Sequence, residues 1–395
     1  MNKGWQKKTL GEVLQKTETV NPLQSPQAEF DYIDVSSVSN STFQIEATQR
    51  LKGKDAPSRA RKLVRANDIV FATIRPTLQR IAVVPENLDK QVCSTGYFVL
   101  RPKPGIDHRF VFYSLFTEDF AAQMECLQKG ASYPAVTDGD VKAQVIPIPP
   151  LLEQQRIVDI LDEAFGSIGT AKANAEKNLQ NARAIFESHL QSVFTQRGEG
   201  WELKTLEQIA ISFGRGKSKH RPRNEKKLYG GKYPFIQTGD IRNADHFITE
   251  YSQTYSEEGL TQSKLWPKGT ICITIAANIA ETGILHFDAC FPDSVIGVVA
   301  NPKEADIGFV EYLLQSFKVR LQAKGKGSAQ ANINMGTFEH ERFPFPSVTK
   351  QKRVAAKLDS LREETRRLEA IYQQKLAALD ALKKSLLHQA FTGQL

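Results

Sequence analysis

The chain has 395 residues, more than one ordinary core needs and enough for two domains with connectors. Hydrophobic residues make up 41% and charged residues 24%, which excludes a collagenous or disordered chain, and the net charge of +8 tilts the expected partners toward polyanions. Cys93, Cys126, Cys272 and Cys290 show neither C-x-x-C nor metal-ligand spacing to a histidine, so they read as reduced thiols. The opening Met1-Asn2-Lys3-Gly4-Trp5-Gln6-Lys7-Lys8 lacks the apolar core of a signal peptide, and no apolar run approaches the ~20 residues of a membrane helix. A cytoplasmic location without membrane contact is expected.

In chain order, residues 1–150 read as mixed strands and short helices. Asp68-Ile69-Val70-Phe71-Ala72-Thr73-Ile74 and Ile81-Ala82-Val83-Val84 are strand-like, and 110–127 reads as a helix. Pro149-Pro150 then opens a long helix over 151–194, which Arg197-Gly198-Glu199-Gly200 breaks. In the second half, Ile271-Cys272-Ile273-Thr274-Ile275 and Val295-Ile296-Gly297-Val298-Val299 are strand-like and 307–321 is helical. A long helix follows over 350–390, with Ser347 as its expected N-cap.

The halves repeat one another. Trp5-Gln6-Lys7-Lys8-Thr9-Leu10 returns as Trp201-Glu202-Leu203-Lys204-Thr205-Leu206, and Tyr32-Ile33-Asp34-Val35 as Phe235-Ile236-Gln237-Thr238. Lys129-Gly130-Ala131 answers to Lys326-Gly327-Ser328, Ile146-Pro147-Ile148-Pro149 to Phe343-Pro344-Phe345-Pro346, and Gln155-Arg156-Ile157-Val158 to Lys352-Arg353-Val354-Ala355. From Gly130 onward the offset is constant: 327−130, 353−156 and 392−195 are each 197. The expected fold is therefore a tandem pair of α/β (α+β) globules separated by a long antiparallel two-helix coiled coil. The segments are 1–150, 151–196, 197–346 and 347–395.

In the second long helix the apolar stripe is Val354, Leu358, Leu361, Leu368, Tyr372, Leu379, Leu382 and Leu386, interrupted at Thr365 and Lys375. The first carries small residues at its centre, which would seat Ala175 against Tyr372. Gly166 and Gly169 read as sites of close packing. About 44 residues make a rod of roughly 65 Å. Two different reading heads on such a rod would touch a duplex at two places a fixed distance apart, giving an asymmetric split target.

Basic residues gather in the stretches where the repeats differ. Arg50, Lys52, Lys54, Arg59, Arg61, Lys62 and Arg65 form one expected DNA-binding cluster, and Arg215, Lys217, Lys219, Arg221 and Arg223 with Lys226 and Lys227 a denser one. Such side chains bind phosphates and can grip guanine bidentately. Gln237, Thr238 and Asp240, after a strand-like stretch, are candidate base-edge readers, as are Ser36 and Ser37 at the equivalent place. Solvated loops and ordinary turn residues are the alternative reading of both sets.

Catalytic patterns do not assemble. Gly216-Lys217-Ser218 has the end of a phosphate-binding loop, but Ile211 stands where its glycine belongs. Glu225-Lys226-Lys227 has no Pro-Asp strand upstream, and the seven histidines are dispersed. No catalytic, metal or cofactor residue is expected. A stand-alone DNA-binding repressor or architectural protein, or a self-contained methyltransferase or nuclease, are the rival readings.

Gly130 followed by Ile146-Pro147-Ile148-Pro149-Pro150-Leu151-Leu152-Glu153-Gln154-Gln155-Arg156-Ile157-Val158, with its repeat and the closing Leu387-His388-Gln389-Ala390-Phe391-Thr392-Gly393-Gln394-Leu395, resembles the specificity subunits of type I restriction-modification systems. Phe343-Pro344-Phe345-Pro346-Ser347-Val348-Thr349 departs from the pattern, lacking the double proline and acidic residue. The resemblance implies target-recognition domains at 1–150 and 197–346 and conserved spacer helices at 151–196 and 347–395. It also implies a non-catalytic subunit bound to double-stranded DNA. Two modification subunits carrying S-adenosylmethionine would dock on 151–194 and 350–390, and restriction subunits would use ATP and Mg. The chain itself would bind no cofactor.

Overall fold

The chain divides into two units, each drawn from distant sequence: 1–176 with 373–395, and 177–372. The computed structural model describes residues 4–196, 198–220, 222–223, 225–276, 278–325 and 333–395.

In the first unit, Gln6–Thr9 pairs antiparallel with Val145–Ile148, closing the globule just ahead of the long helix. A four-stranded sheet runs in the order Gln49–Lys52, Glu29–Ile33, Val92–Ser94, Ala60–Leu63; its middle pair is parallel and its outer pairs antiparallel. A second, three-stranded antiparallel sheet has Ile69–Ala72 between Ile81–Val83 and Tyr97–Leu100. Side chains alternate across a strand. Accordingly Ile69, Phe71, Phe98 and Leu100 meet Phe110, Ile157 and Leu161 on one face, while Val70, Ala72, Tyr97 and Val99 meet Ile33 and Cys93 on the other. Burial on both faces explains why these strands read as unbroken apolar runs.

The expected helix over 110–127 is two helices, His108–Ser114 and Glu118–Leu127. Thr117 caps the second by accepting the Phe120 N–H, and Glu118 and Asp119 in the first turn complement the helix dipole.

The second unit repeats the scheme. Glu202–Lys204 pairs with Phe343–Phe345. One sheet runs Ala210–Arg215, Val295–Ala300, Ile271–Thr274, Thr282–Leu285, Phe247–Ile248, the other Gln253–Tyr255, Tyr229–Phe235, Ala289–Cys290, Leu265–Trp266. In the latter, Phe235 faces Cys290 across a parallel contact. A single helix, Ile307–Gly325, stands where the first unit has two.

The two long helices are Leu151–Thr195 and Val348–Thr392. A buried glutamine clasps each to its globule. Gln154 Oε1 accepts the Asp107 N–H at 2.8 Å and its Nε2 donates to Pro149 O at 2.8 Å. Gln351 does the same with Asp306 N–H at 2.9 Å and Pro346 O at 2.8 Å. Two turns further on, Tyr113 and Arg109 donate to Asp162, as Tyr312 donates to Asp359 at 2.7 Å.

Within each unit the helix portions run antiparallel. Arg156 Nη2 reaches Leu395 O and Lys172 pairs with Asp380 in the first, both at 2.7 Å; in the second, Arg183 pairs with Glu369 at 2.9 Å. The packed stripe is rotated from the expected one. In the second helix Leu358, Arg362 and Thr365 are buried, whereas Leu368 is 37% and Leu382 48% exposed. Arg362 claims the inward place because its planar guanidinium lies over Phe186 and Tyr312, 4.6 and 4.9 Å from the ring centroids. Gly166 and Gly169 face open space, where a Cβ would meet nothing within 4 Å, so close packing is not their role.

Candidate nucleic-acid interface

In both units the central parallel strands end on the same edge of their sheet, and the chain leaves each through a self-capped turn. After Glu29–Ile33, the Asp34 N–H donates to Ser37 Oγ at 3.0 Å and heads the turn Val35–Ser37. After Tyr229–Phe235, the Gln237 N–H donates to Asp240 Oδ2 at 2.8 Å and heads Thr238–Asn243. Ser37 and Asp240 therefore fix the course of their own turns, and Ser252 adds a bond to Asp240 at 3.3 Å. Ser36 lies exposed beside them with its hydroxyl on Asp34 at 3.4 Å. Gln237 donates from Nε2 to Gln253 Oε1 at 2.7 Å, and Thr238 is half-buried.

The first basic cluster divides. Lys52 ends one outer strand and Lys54 follows it, while Arg59 precedes and Arg61 and Lys62 lie on the opposite outer strand. Three strand spacings, about 14 Å, separate the two edges. Arg50 pairs with Asp31 at 3.0 Å, Arg65 with Glu18 at 2.6 Å and Lys62 with Asp138 at 2.9 Å, while Arg61 donates to Ala60 O at 2.9 Å. Lys52, Lys54 and Arg59 are exposed and make no ion pair among the described residues. Glu18 also accepts from Arg101 at 2.5 Å, and that bond holds its carboxyl below the usual range.

Most of the second cluster lies in the loop after Ala210–Arg215, which is pinned to Gln262, Ser263 and Val295. Gly216 N–H donates to Val295 O at 2.8 Å, and a Cβ there would lie 2.2 Å from Phe291 O, so only glycine allows this approach. Ser263 Oγ donates to Lys217 O at 2.8 Å, and His220 N–H to Gln262 Oε1 at 3.0 Å. His220 also bonds Glu225, which with Lys227 holds the Glu225 carboxyl low.

Arg215 and Arg223 converge on one residue that sequence reasoning missed. Arg215 Nε donates to Asp293 O at 2.7 Å, and Arg223 Nη2 reaches both Asp293 carboxylate oxygens at 2.9 and 3.0 Å. Lys217 and Lys219 are exposed and make no ion pair among the described residues. Lys264, isolated in sequence, joins them: its Nζ stands 3.4 Å over the Trp266 ring, and burial first, then Lys217, pushes its pKa down. No local signal in the sequence marks Asp293 or Lys264. Arg221 lies outside the described residues.

The profile of the family described as "Type I restriction modification DNA specificity domain" matches residues 2–178 and again 198–377, one copy per repeat. The chain belongs to this family.

This specificity subunit is 22% identical to the HindI specificity subunit of Haemophilus influenzae over 375 residues, covering 74% of the chain and 80% of the relative. It is 23% identical to the EcoKI specificity subunit of Escherichia coli over 328 residues, covering 77% and 69%. Among solved structures, a chain described under "Structural basis underlying complex assembly and conformational transition of the type I R-M system" matches 99% of this subunit and 98% of itself, with TM-score 0.86 and 27% identity. The HsdS subunit from Thermoanaerobacter tengcongensis matches over 99% and 97%, with TM-score 0.72 and 27% identity. The resemblance read from the sequence is thereby borne out, and with it a DNA-recognition rather than a catalytic subunit. No helix among the described residues is long and apolar enough to cross a membrane.

Proposed function

We propose that this subunit reads a bipartite, asymmetric target on double-stranded DNA, one globule to each half-site. In this reading it holds modification and restriction subunits over the site for adenine N6 methylation or for cleavage. The observation that carries this is the repetition of one frame with different tips. The Gln154 and Gln351 clasps, the terminal strand pairs and the capped turns recur, while Asp34-Val35-Ser36-Ser37 and Gln237-Thr238-Gly239-Asp240 present different side chains. Identical frames with unlike tips suit two heads that read unlike sequences.

Lys217, Lys219 and Lys264 supply phosphate-binding charge to the second head, with Arg215 and Arg223, and Arg221 between them in sequence adds to it. Arg59 and Arg61 supply the first at one edge of its sheet, with Lys52 and Lys54 at the opposite edge, and Ser36 is its base-edge candidate. Gln237 and Thr238 are the base-edge candidates of the second head. Two modification subunits would dock on the long helices and supply S-adenosylmethionine, and restriction subunits would supply the ATP and Mg chemistry, in the cytoplasm. Because adenine must leave the stack to be methylated, this chain would grip the flanking duplex while a partner extrudes the base.

The test is a genome-wide map of N6-methyladenine in cells with and without the gene, the modification partner being present. Loss of one split, asymmetric motif on deletion is the expected result. An unchanged map, together with failure to capture a modification subunit, would favour a lone DNA-binding protein.

A further inference from the structure

The first unit carries an exposed cation–π pair of arginine and tyrosine that the basic clusters do not include. Arg75 follows the strand Ile69–Ala72, and its guanidinium carbon lies 5.1 Å from the Tyr133 ring centroid. Tyr133 is 71% exposed. Arg75 makes no ion pair among the described residues; its side chain reaches only Ser132 O, at 3.4 Å.

The backbone beneath is unusually constrained for so open a place. Arg75 at φ +51° and Gln79 at φ +50° flank the turn Pro76–Leu78, both in the left-handed region that side chains disfavour. The Arg75 N–H donates to Pro134 O at 2.7 Å, and Lys129 and Ala135 exchange two bonds of 2.9 Å across the loop carrying Tyr133. Gly130, at φ +104°, turns that loop back.

The segment carrying Arg75 connects to those carrying Arg59 and Ser36. Thr73 donates twice to Gly96 O, at 2.9 and 3.0 Å, and the adjacent Thr95 N–H donates to Arg59 O at 2.8 Å. A Cβ on Gly96 would touch Val35, so the Val35–Ser37 turn packs against the same strand end. The segments that carry Arg75, Arg59 and Ser36 are thus linked through Gly96 and its neighbours.

We propose that Arg75, placed over the Tyr133 ring, reads a guanine in one half-site of the target. This rests on the DNA-reading function proposed above. An exposed guanidinium that makes no ion pair among the described residues can donate two parallel bonds to guanine O6 and N7 in the major groove. The π face of Tyr133 attracts that guanidinium and limits where it can go. The counterpart of the Tyr133 loop in the second repeat begins at Lys326-Gly327-Ser328, outside the described residues.

The experiment uses the full chain assembled with its modification subunits. Binding is competed between the methylation target and duplexes that each carry one substituted base pair. Arg75→Ala and Arg75→Lys should lose about 10- to 100-fold of discrimination at a single G·C pair in one half-site, with the other half-site unchanged. Tyr133→Ala should lose part of it at the same pair, and Tyr133→Phe should keep it.

Unchanged discrimination at every position would overturn the assignment. So would a uniform loss with a shallower salt dependence, which marks a phosphate contact. A target with no G·C pair in either half-site overturns it outright while leaving the proposed function standing. A wild-type complex without any preferred sequence would instead remove the function itself.

Discussion

Gln154 grips Asp107 across 47 positions of sequence, its side-chain carbonyl accepting the Asp107 N–H at 2.8 Å from within a buried joint. The same amide satisfies Pro149 O, the last carbonyl but one before the helix Leu151–Thr195. One side chain therefore closes two backbone groups and sets where the helix leaves the globule. Gln154→Leu should destabilise the first unit by about 1–3 kcal/mol, the range for a lost buried partner. Hydrogen exchange should show faster loss of protection at Asp107 with no change around Asp306 in the second unit.

The lysines and arginines of the second head should behave differently. Lys217 and Lys219 are unpaired by acids among the described residues, so Lys217→Ala with Lys219→Ala should reduce the slope of log K against log salt by about 1–2. Asp293→Asn should do the opposite, because it removes the carboxylate that holds Arg223. Tighter DNA binding at low salt is the expected result, read by titration at several ionic strengths.

Inserting one helical turn between Ala171 and Ala182 should change the length of the unspecified spacer in the methylated motif or abolish modification. Methylation mapping reads the outcome directly. Full activity on the original spacer would mean that the helices do not measure the target.

Thiol labelling of the native chain should separate the cysteines. Burial pushes the Cys93 thiol up to about 12 and raises Cys272 and Cys290 as well, so all three stay protonated and shielded at neutral pH. Cys126 is exposed. Mass spectrometry after brief alkylation should find the label on Cys126 alone, with the other three labelled after denaturation.

The Glu18 carboxyl lies below its ordinary value, chiefly through its bond from Arg101. A depressed carboxylate stabilises the fold above its unfolded pKa and loses that contribution as the pH falls through the folded value. Glu18→Gln should therefore unfold more easily than the native chain at neutral pH. The difference should close as the pH drops below about 4. Denaturation midpoints measured across that range check the sign.

Much of the frame was legible because repetition and continuous apolar runs are visible without coordinates. Ile69–Ala72 and Val295–Ala300 announce strands buried on both faces, and Pro149-Pro150 announces the helix. The break at Thr117 was also written in the sequence, as a capping threonine followed by two acids, but a run of apolar residues on either side masked it. The helix stripe was misjudged for a different reason. Arg362 is inward because of Phe186 and Tyr312, which lie far away in the chain, so counting leucines could not reveal it. The site was least legible. Lys52 and Arg59 are near in sequence but on opposite edges of a sheet, whereas Arg75 and Tyr133 are distant in sequence and form a cation–π pair.

The first unit takes Leu387 and Ala390 into its core, and Phe391 lies 4.9 Å from Phe110. Those residues leave the ribosome only after the whole of the second unit has been made. At roughly 5–20 residues per second, the first globule waits tens of seconds for its last wall. Phe110 and Leu161 must be shielded in the meantime, which makes the newborn chain, rather than the finished one, the form most exposed to chaperones and proteases. The earliest part to be synthesised is the last to be completed.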